Sequence, residues 1–160
     1  MVDLSSIHEL QKAGQHEEAR QQLIQLATQF PNDAAVHYET ACVHDFLGFE
    51  HQAVPFYLAA IRNGLSGSDL RGAYLGLGST YRTLGQYAES KRTFLEGLLL
   101  FPEATEIKVF LAMTLYNLGD FHASVGSLLR VIVNTTSDSA TKSYERAIRL
   151  YAEDLDRRWD

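Results

Sequence analysis

Four glycines recur along the chain at nearly constant intervals, and this period limits what the chain can fold into. They are separated by 34, 37 and 34 residues and are Gly14, Gly48, Gly85 and Gly119. A residue just beyond a helix end often needs a left-handed backbone, which glycine adopts without a side-chain clash. Because helical patterns of apolar residues flank each glycine, the period predicts four helical hairpins, each turning at its glycine.

Side-chain size recurs in step with the glycines. Small residues lie five positions after them, at Ala19, Ala53, Ser90 and Ser124. Large apolar residues lie nine positions after them, at Leu23, Tyr57, Phe94 and Leu128. Mostly small residues lie seven positions before them, at Ile7, Ala41, Gly78 and Ala112. This pattern predicts that the two helices of a hairpin approach closely at the small residues, while the large ones fill the gaps.

Proline marks the ends of two hairpins, because it has no amide hydrogen with which to continue a helix. Pro31 and Pro102 each follow a phenylalanine and lie 71 residues apart, whereas Leu65 and Thr136 occupy the matching places in the other hairpins. The predicted repeats therefore span about residues 1–31, 33–65, 68–102 and 103–136.

Residues 138–159 predict one further helix, with one apolar and one charged face. The apolar residues at helical spacing are Ala140, Tyr144, Ala147, Ile148, Tyr151 and Leu155. A stack of hairpins would otherwise expose the apolar side of its last member, so a helix with one polar face would cap it.

The 34-residue helix-turn-helix period, with its small, aromatic and proline markers, resembles the tetratricopeptide repeat. The resemblance covers residues 34–61, 70–102 and 103–133, and is weaker over residues 1–30. The stretch GLSGSDLRGAYLGLGSTYRTLGQY also resembles a bacterial subfamily of tetratricopeptide proteins with little assigned function. We therefore expect a single all-α domain over residues 1–160, a right-handed α-solenoid of four hairpins with the capping helix.

The resemblance also implies a binding groove, because the concave face of such repeats, lined by the first helix of each hairpin, holds peptides. The matching residues here are Tyr38, Cys42, Asp45, Phe46, Leu75, Ser79, Arg82, Val109, Met113, Tyr116 and Asn117. Aromatic anchors among a few polar groups suit a peptide or an amphipathic helix. The alternative is that several of these side chains only pack against neighbouring helices.

The sequence contains no convincing catalytic or cofactor-binding motif. Gly72, Gly76 and Gly78 lack the preceding strand and the third glycine of a dinucleotide-binding motif, so we interpret them as sites of close helix packing. His37 and His44 lie two helical turns apart, too far for one metal ion without other ligands. Cys42 is the sole cysteine and has no adjacent base that would activate it.

The formal charge of −6, with only 14 basic residues, argues against nucleic-acid partners, because such binding depends on Lys and Arg neutralising phosphates. Neither a secretory signal nor a membrane span is recognisable, which favours the cytoplasm. We therefore predict a non-catalytic module without cofactors that binds a protein or peptide in the groove. The alternatives are a homo-oligomerising scaffold, such as a homodimer, and a regulator that responds to a peptide.

Overall fold

A computed structural model describes residues 2–158 of the protein, and these form helices, turns and loops. The chain divides into two compact units, Met1–Gln86 and Tyr87–Asp160. The first contains α1 (Ser5–Lys12), α2 (His16–Gln29), α3 (Ala34–Phe46), α4 (Glu50–Arg62) and α5 (Gly67–Thr83). The second contains α6 (Tyr87–Leu100), α7 (Thr105–Asn117), α8 (Phe121–Thr135), α9 (Ser139–Ser143) and α10 (Glu145–Tyr151). The predicted all-helical repeat fold is thereby confirmed.

The four periodic glycines lie at helix ends with φ between 73° and 81°, as predicted. After each of them the next amide donates a hydrogen bond to the carbonyl five residues back, for example from Gln15 to Leu10 at 2.9 Å. This Schellman arrangement satisfies a carbonyl that the helix end would otherwise leave unpaired. The second hairpin stops in the same way, because Gly64 has φ 87° and the amide of Leu65 donates to Ala60.

Consecutive helices pack against each other within each unit. In the first unit the contacts run from α1 to α5 in chain order, and α3 also touches α5. In the second unit α7 packs between α6 and α8, and α10 packs on α8. The boundary between the units lies in the turn of the third predicted repeat, and a single domain of four repeats stays a prediction.

The predicted small residues lie where the helices of a hairpin meet. Ala41 and Ala53 are both fully buried in the second hairpin. In the fourth hairpin the buried hydroxyl of Ser124 donates to the carbonyl of Ala112 at 2.7 Å. The small side chains therefore permit close approach, and serine adds a hydrogen bond where two helices touch.

The single helix predicted over residues 138–159 is wrong, because the structure has the two short helices α9 and α10 there. Asp138 caps α9 by accepting from the amide of Thr141 at 2.7 Å. The hydroxyl of Ser143 then donates a hydrogen bond to the carbonyl of Ala140 at 2.7 Å. The amide of Tyr144 donates to the carbonyl of Thr141 and not to that of Ala140. A serine side chain that competes for backbone carbonyls interrupts the helix in this way.

The second short helix ends at Tyr151 because the following carbonyl is anchored to α8. Arg130 donates to the carbonyl oxygen of Ala152 at 3.0 Å. A β-carbon on Gly126 would lie 2.6 Å from that oxygen, so only glycine allows the chain to come this close. Trp159, at the end of the predicted helix, lies outside the described residues.

Candidate functional site

The predicted contact residues of the first unit fall on α3 and α5, and most of those on α3 join a polar cluster. The carboxylate of Asp45 accepts from Tyr57 on α4 at 3.3 Å and from Thr80 on α5 at 3.1 Å. Thr80 also lies 2.8 Å from the carbonyl oxygen of Gly76. Asp45 therefore links three helices, which is a structural role rather than a free position in a groove.

Burial dominates the ionisation of this cluster. It raises the pKa of Asp45, and the hydrogen bonds from Thr80 and Tyr57 offset only part of the effect. Burial also raises the pKa of the Cys42 thiol to about 12 and that of Tyr57 above its ordinary value. A thiol that stays protonated at neutral pH is a poor nucleophile.

Two glycines of α5 make room for the tyrosines of this cluster. A β-carbon on Gly72 would collide with the hydroxyl of Tyr38, and one on Gly76 would collide with the hydroxyl of Tyr57. The rings of Tyr38 and Tyr57 lie 6.4 Å apart, between α3 and α4 on one side and α5 on the other. The interpretation of Gly72 and Gly76 as sites of close helix packing is thus confirmed, and that of Gly78 stays a prediction.

Phe46 differs from the other predicted residues of α3 because its side chain is 68% exposed. Its ring lies 4.2 Å from the ring of His16, the first residue of α2. The pair presents an aromatic patch on the first unit. Leu75 and Ser79 on α5 are half-buried, and Arg82 is half-buried and already has an interaction partner.

In the second unit the predicted residues lie along α7. Tyr116 is 60% exposed, and its ring meets that of Phe121 on α8 edge-on at 5.2 Å. Met113 is exposed one turn earlier, whereas Val109 is half-buried. Asn117 is half-buried and has an interaction partner. The C-terminal end of α7 therefore carries a second apolar patch.

Four residues of these surfaces were missed by sequence reasoning: His16, Tyr57, Thr80 and Phe121. Three of them lie on second helices, where the repeat pattern predicts packing rather than contact. Tyr57 was recognised only as a large core residue, and the phenolic hydroxyl was the signal that it would need a polar partner.

The histidines of α3 are held by backbone carbonyls. His37 contacts the carbonyl of Pro31 at 2.8 Å, and His44 contacts that of Thr40 at 2.7 Å. Within residues 2–158, no group of three His, Cys, Asp or Glu side chains has the arrangement of a metal site. Nor does any helix in this range combine the length and apolar character needed to cross a bilayer.

Comparison with known families agrees with the hairpin architecture. A family profile described as "Tetratrico peptide repeat" matches residues 34–155, and one described as "Tetratricopeptide repeat" matches residues 9–33. The chain belongs to the tetratricopeptide-repeat family. Repeats of this family generally mediate protein–protein interactions. The bacterial origin and the cytoplasmic location stay predictions.

A curated relative of this tetratricopeptide-repeat protein is Superkiller protein 3 of Schizosaccharomyces pombe. The two are 26% identical over 106 residues, which is 63% of this chain and 7% of the relative. The chain therefore spans only a small part of that protein's length. The similarity is to a short stretch of a much larger molecule.

Proposed function

We propose that this tetratricopeptide-repeat protein is a non-catalytic module that binds a peptide or protein segment through the first helices of its hairpins. The observation that carries the proposal is the exposure of Phe46 and Tyr116, at positions where the family resemblance expects ligand contacts. Large aromatic rings in water are costly for a stable fold to keep, and they are the side chains that most often dominate binding energy.

Each exposed ring is supported by a second aromatic side chain. Phe46 lies against His16, and Tyr116 lies against Phe121. Because these neighbours restrict the rings before any ligand arrives, less side-chain entropy is lost on binding. A ligand with apolar side chains gains contact area at either patch, and the exposed Met113 adds an adaptable surface beside Tyr116.

The predicted contact residues separate into two groups in this proposal. Tyr38, Cys42 and Asp45 support the surface from within, because their polar atoms are engaged in the cluster between α3 and α5. The proposed contacts are the remaining residues, of which three are exposed and five are half-buried: Phe46, Met113 and Tyr116, and Leu75, Ser79, Arg82, Val109 and Asn117.

Selection from a display library of random twelve-residue peptides tests the proposal. Peptides recovered on the wild-type chain are measured against Phe46→Ala and Tyr116→Ala by fluorescence anisotropy. We expect each substitution to weaken binding at least tenfold, because a hot-spot aromatic contributes about 2 kcal/mol or more. Circular dichroism confirms that both variants remain helical.

Leu58→Ala on α4 and Ile132→Ala on α8 are the matched controls, because both remove an exposed apolar side chain from a second helix. They should leave peptide affinity unchanged. Equal losses of affinity in all four variants would indicate nonspecific hydrophobic binding. No loss in Phe46→Ala and Tyr116→Ala would refute these two patches as the binding surface.

A further inference from the structure

Helix α6 carries an apolar stripe that no described residue covers. Leu99 is 84% exposed and Leu95 is 45% exposed, although both are leucines on a regular helix. With Leu118 at the end of α7 they border a shallow cleft of about 560 Å³. The cleft is lined by Ala88, Lys91, Arg92, Leu95, Glu96, Leu99 and Leu118. Exposed apolar side chains grouped in this way mark an interaction surface.

The spacing of the stripe is that of a helix-pairing seam. Residues 88, 92, 95 and 99 follow each other at intervals of four, three and four. This alternation keeps one side of a helix facing a neighbouring helix over several turns. The cleft therefore fits another α-helix lying along α6.

The charges on the stripe are only loosely engaged. The Nε atom of Arg92 and the Oε1 atom of Glu96 lie 3.8 Å apart in an exposed pair on the same helix. Such pairs contribute only a few tenths of a kcal/mol. Lys91 and Arg92 place two positive charges on the cleft beside the one negative charge of Glu96, so one positive charge on the rim is unbalanced.

We propose that α6 pairs antiparallel with α6 of a second copy of the chain, across a twofold axis. In one register, the numbers of facing residues add up to 187, and each residue of the stripe then faces another residue of the stripe. It places Ala88 opposite Leu99 and Lys91 opposite Glu96. Arg92 then lies beside Leu95, so that its aliphatic stem covers apolar surface while its charge stays in water.

A second copy fits better than an unrelated helix because the stripe complements itself. Within the same six residues of α6, Ala88 meets Leu99, Lys91 meets Glu96 and the stem of Arg92 covers Leu95, as an isologous interface requires. One helix face is much smaller than a standard interface, and we expect a weak, reversible dimer with a Kd of about 10–100 μM. Because each chain carries a formal charge of −6, two copies repel each other at low ionic strength. Added salt screens this repulsion and should therefore strengthen the dimer.

Sedimentation velocity over a concentration series, in buffer with added salt, measures this equilibrium. The wild-type chain should shift from monomer to dimer within the stated range. Leu99→Ser should weaken the dimer at least tenfold and keep the fold, because the side chain is mostly exposed. Leu58→Ser on α4 removes a similarly exposed leucine from another surface and should leave dimerisation unchanged.

Charge exchange tests the register itself. Lys91→Glu and Glu96→Lys should each yield monomers, because like charges then face each other across the axis. An equimolar mixture of the two variants should recover dimers, because both facing pairs become opposite in sign. Recovery by mixing is not expected if either variant merely fails to fold.

Three results would overturn the proposal. They are a wild-type chain that stays monomeric throughout the series, a dimer that Leu99→Ser leaves intact, and charge variants whose mixture remains monomeric. A monomeric chain that instead binds a synthetic amphipathic helical peptide along α6 would assign the stripe to another protein, which also contradicts a twofold dimer.

Discussion

The hydroxyl of Tyr57 on α4 rests against the backbone of Gly76 on α5, so closely that a β-carbon at position 76 has no space. Tyr57 is only 3% exposed and has little freedom to move aside. This contact fixes how near the second hairpin and the following helix lie, and it makes one glycine of α5 a packing requirement.

Gly76→Ala should destabilise the protein by about 1–3 kcal/mol, because overpacking forces buried side chains to shift. In a Tyr57→Leu background, which removes the ring atoms that collide, the same change should be neutral or stabilising, since alanine favours helices by about 1 kcal/mol over glycine. Urea unfolding of the four chains forms a double-mutant cycle. A cost for Gly76→Ala that is the same in both backgrounds would contradict the contact.

Gly119→Ala should cost about 1–2 kcal/mol and lower Tm by several degrees, because Gly119 has φ 81°. No atom lies within 4 Å of the place a β-carbon would take, so the cost is one of backbone conformation alone. Gly119→Asn is the control, since asparagine tolerates this conformation better and should cost less. Equal stability of the glycine and alanine chains in thermal melts would refute the turn geometry.

Asp45→Asn should change how stability depends on pH. Since burial raises the pKa of Asp45 in the folded state, the folded chain holds this proton more tightly than the unfolded chain. Its contribution to stability is therefore present at low pH and is lost as pH rises from the ordinary value of 3.8 through the raised pKa.

The substitution removes this titration while keeping the size of the side chain. Asp45→Asn should therefore gain stability relative to wild type as pH rises from about 3 to 7. Urea unfolding at several pH values measures the difference. Asp138→Asn is a useful contrast, because hydrogen bonds donated by Thr141 lower the pKa of Asp138. Asp138→Asn should therefore lose stability relative to wild type as pH rises over the same range. A gap between wild type and Asp45→Asn that is constant with pH would contradict the raised pKa.

Gly126→Ala should release the C-terminal segment from α8 while leaving α8 helical. The new β-carbon would lie 2.6 Å from the carbonyl oxygen of Ala152, which Arg130 also binds. Ala152 is the only buried residue of 139–158. Two other hydrogen bonds join the segment to α8, from Arg149 to Asn134 and between His122 and Asp156, but both are exposed and hold it less firmly. Hydrogen exchange of residues 145–152 should accelerate at least tenfold.

Val125→Ala, which removes an exposed side chain from the neighbouring position of α8, is the control and should leave this exchange unchanged. Unaltered protection of residues 145–152 in Gly126→Ala would show that the segment is held by other contacts.

The helical hairpins were predictable because their determinants are local. A left-handed glycine with a hydrogen bond reaching five residues back depends on a few neighbouring residues, so the turns at Gly14, Gly48, Gly85 and Gly119 are legible in the sequence. The break at Tyr144 is equally local, but it depends on which carbonyl the hydroxyl of Ser143 selects, and residue type alone does not reveal that choice.

The candidate site was only partly predictable. Phe46 and Asp45 are adjacent on α3, and the family pattern treats both as groove residues. The structure leaves the ring of Phe46 exposed and ties the carboxylate of Asp45 to partners 12 and 35 residues away. Distant partners of this kind depend on how the helices cross, which a repeat period does not specify.

The sequence by itself determined the repeat, its turns and the family, because each arises from interactions within a few residues of a periodic pattern. Only the tertiary structure decided which side chains of the predicted surface are held inside and which meet water, and where the leucines of α6 remain uncovered. That division follows from the packing of one helix on the next, where a change of one helical position exchanges a buried side chain for an exposed one.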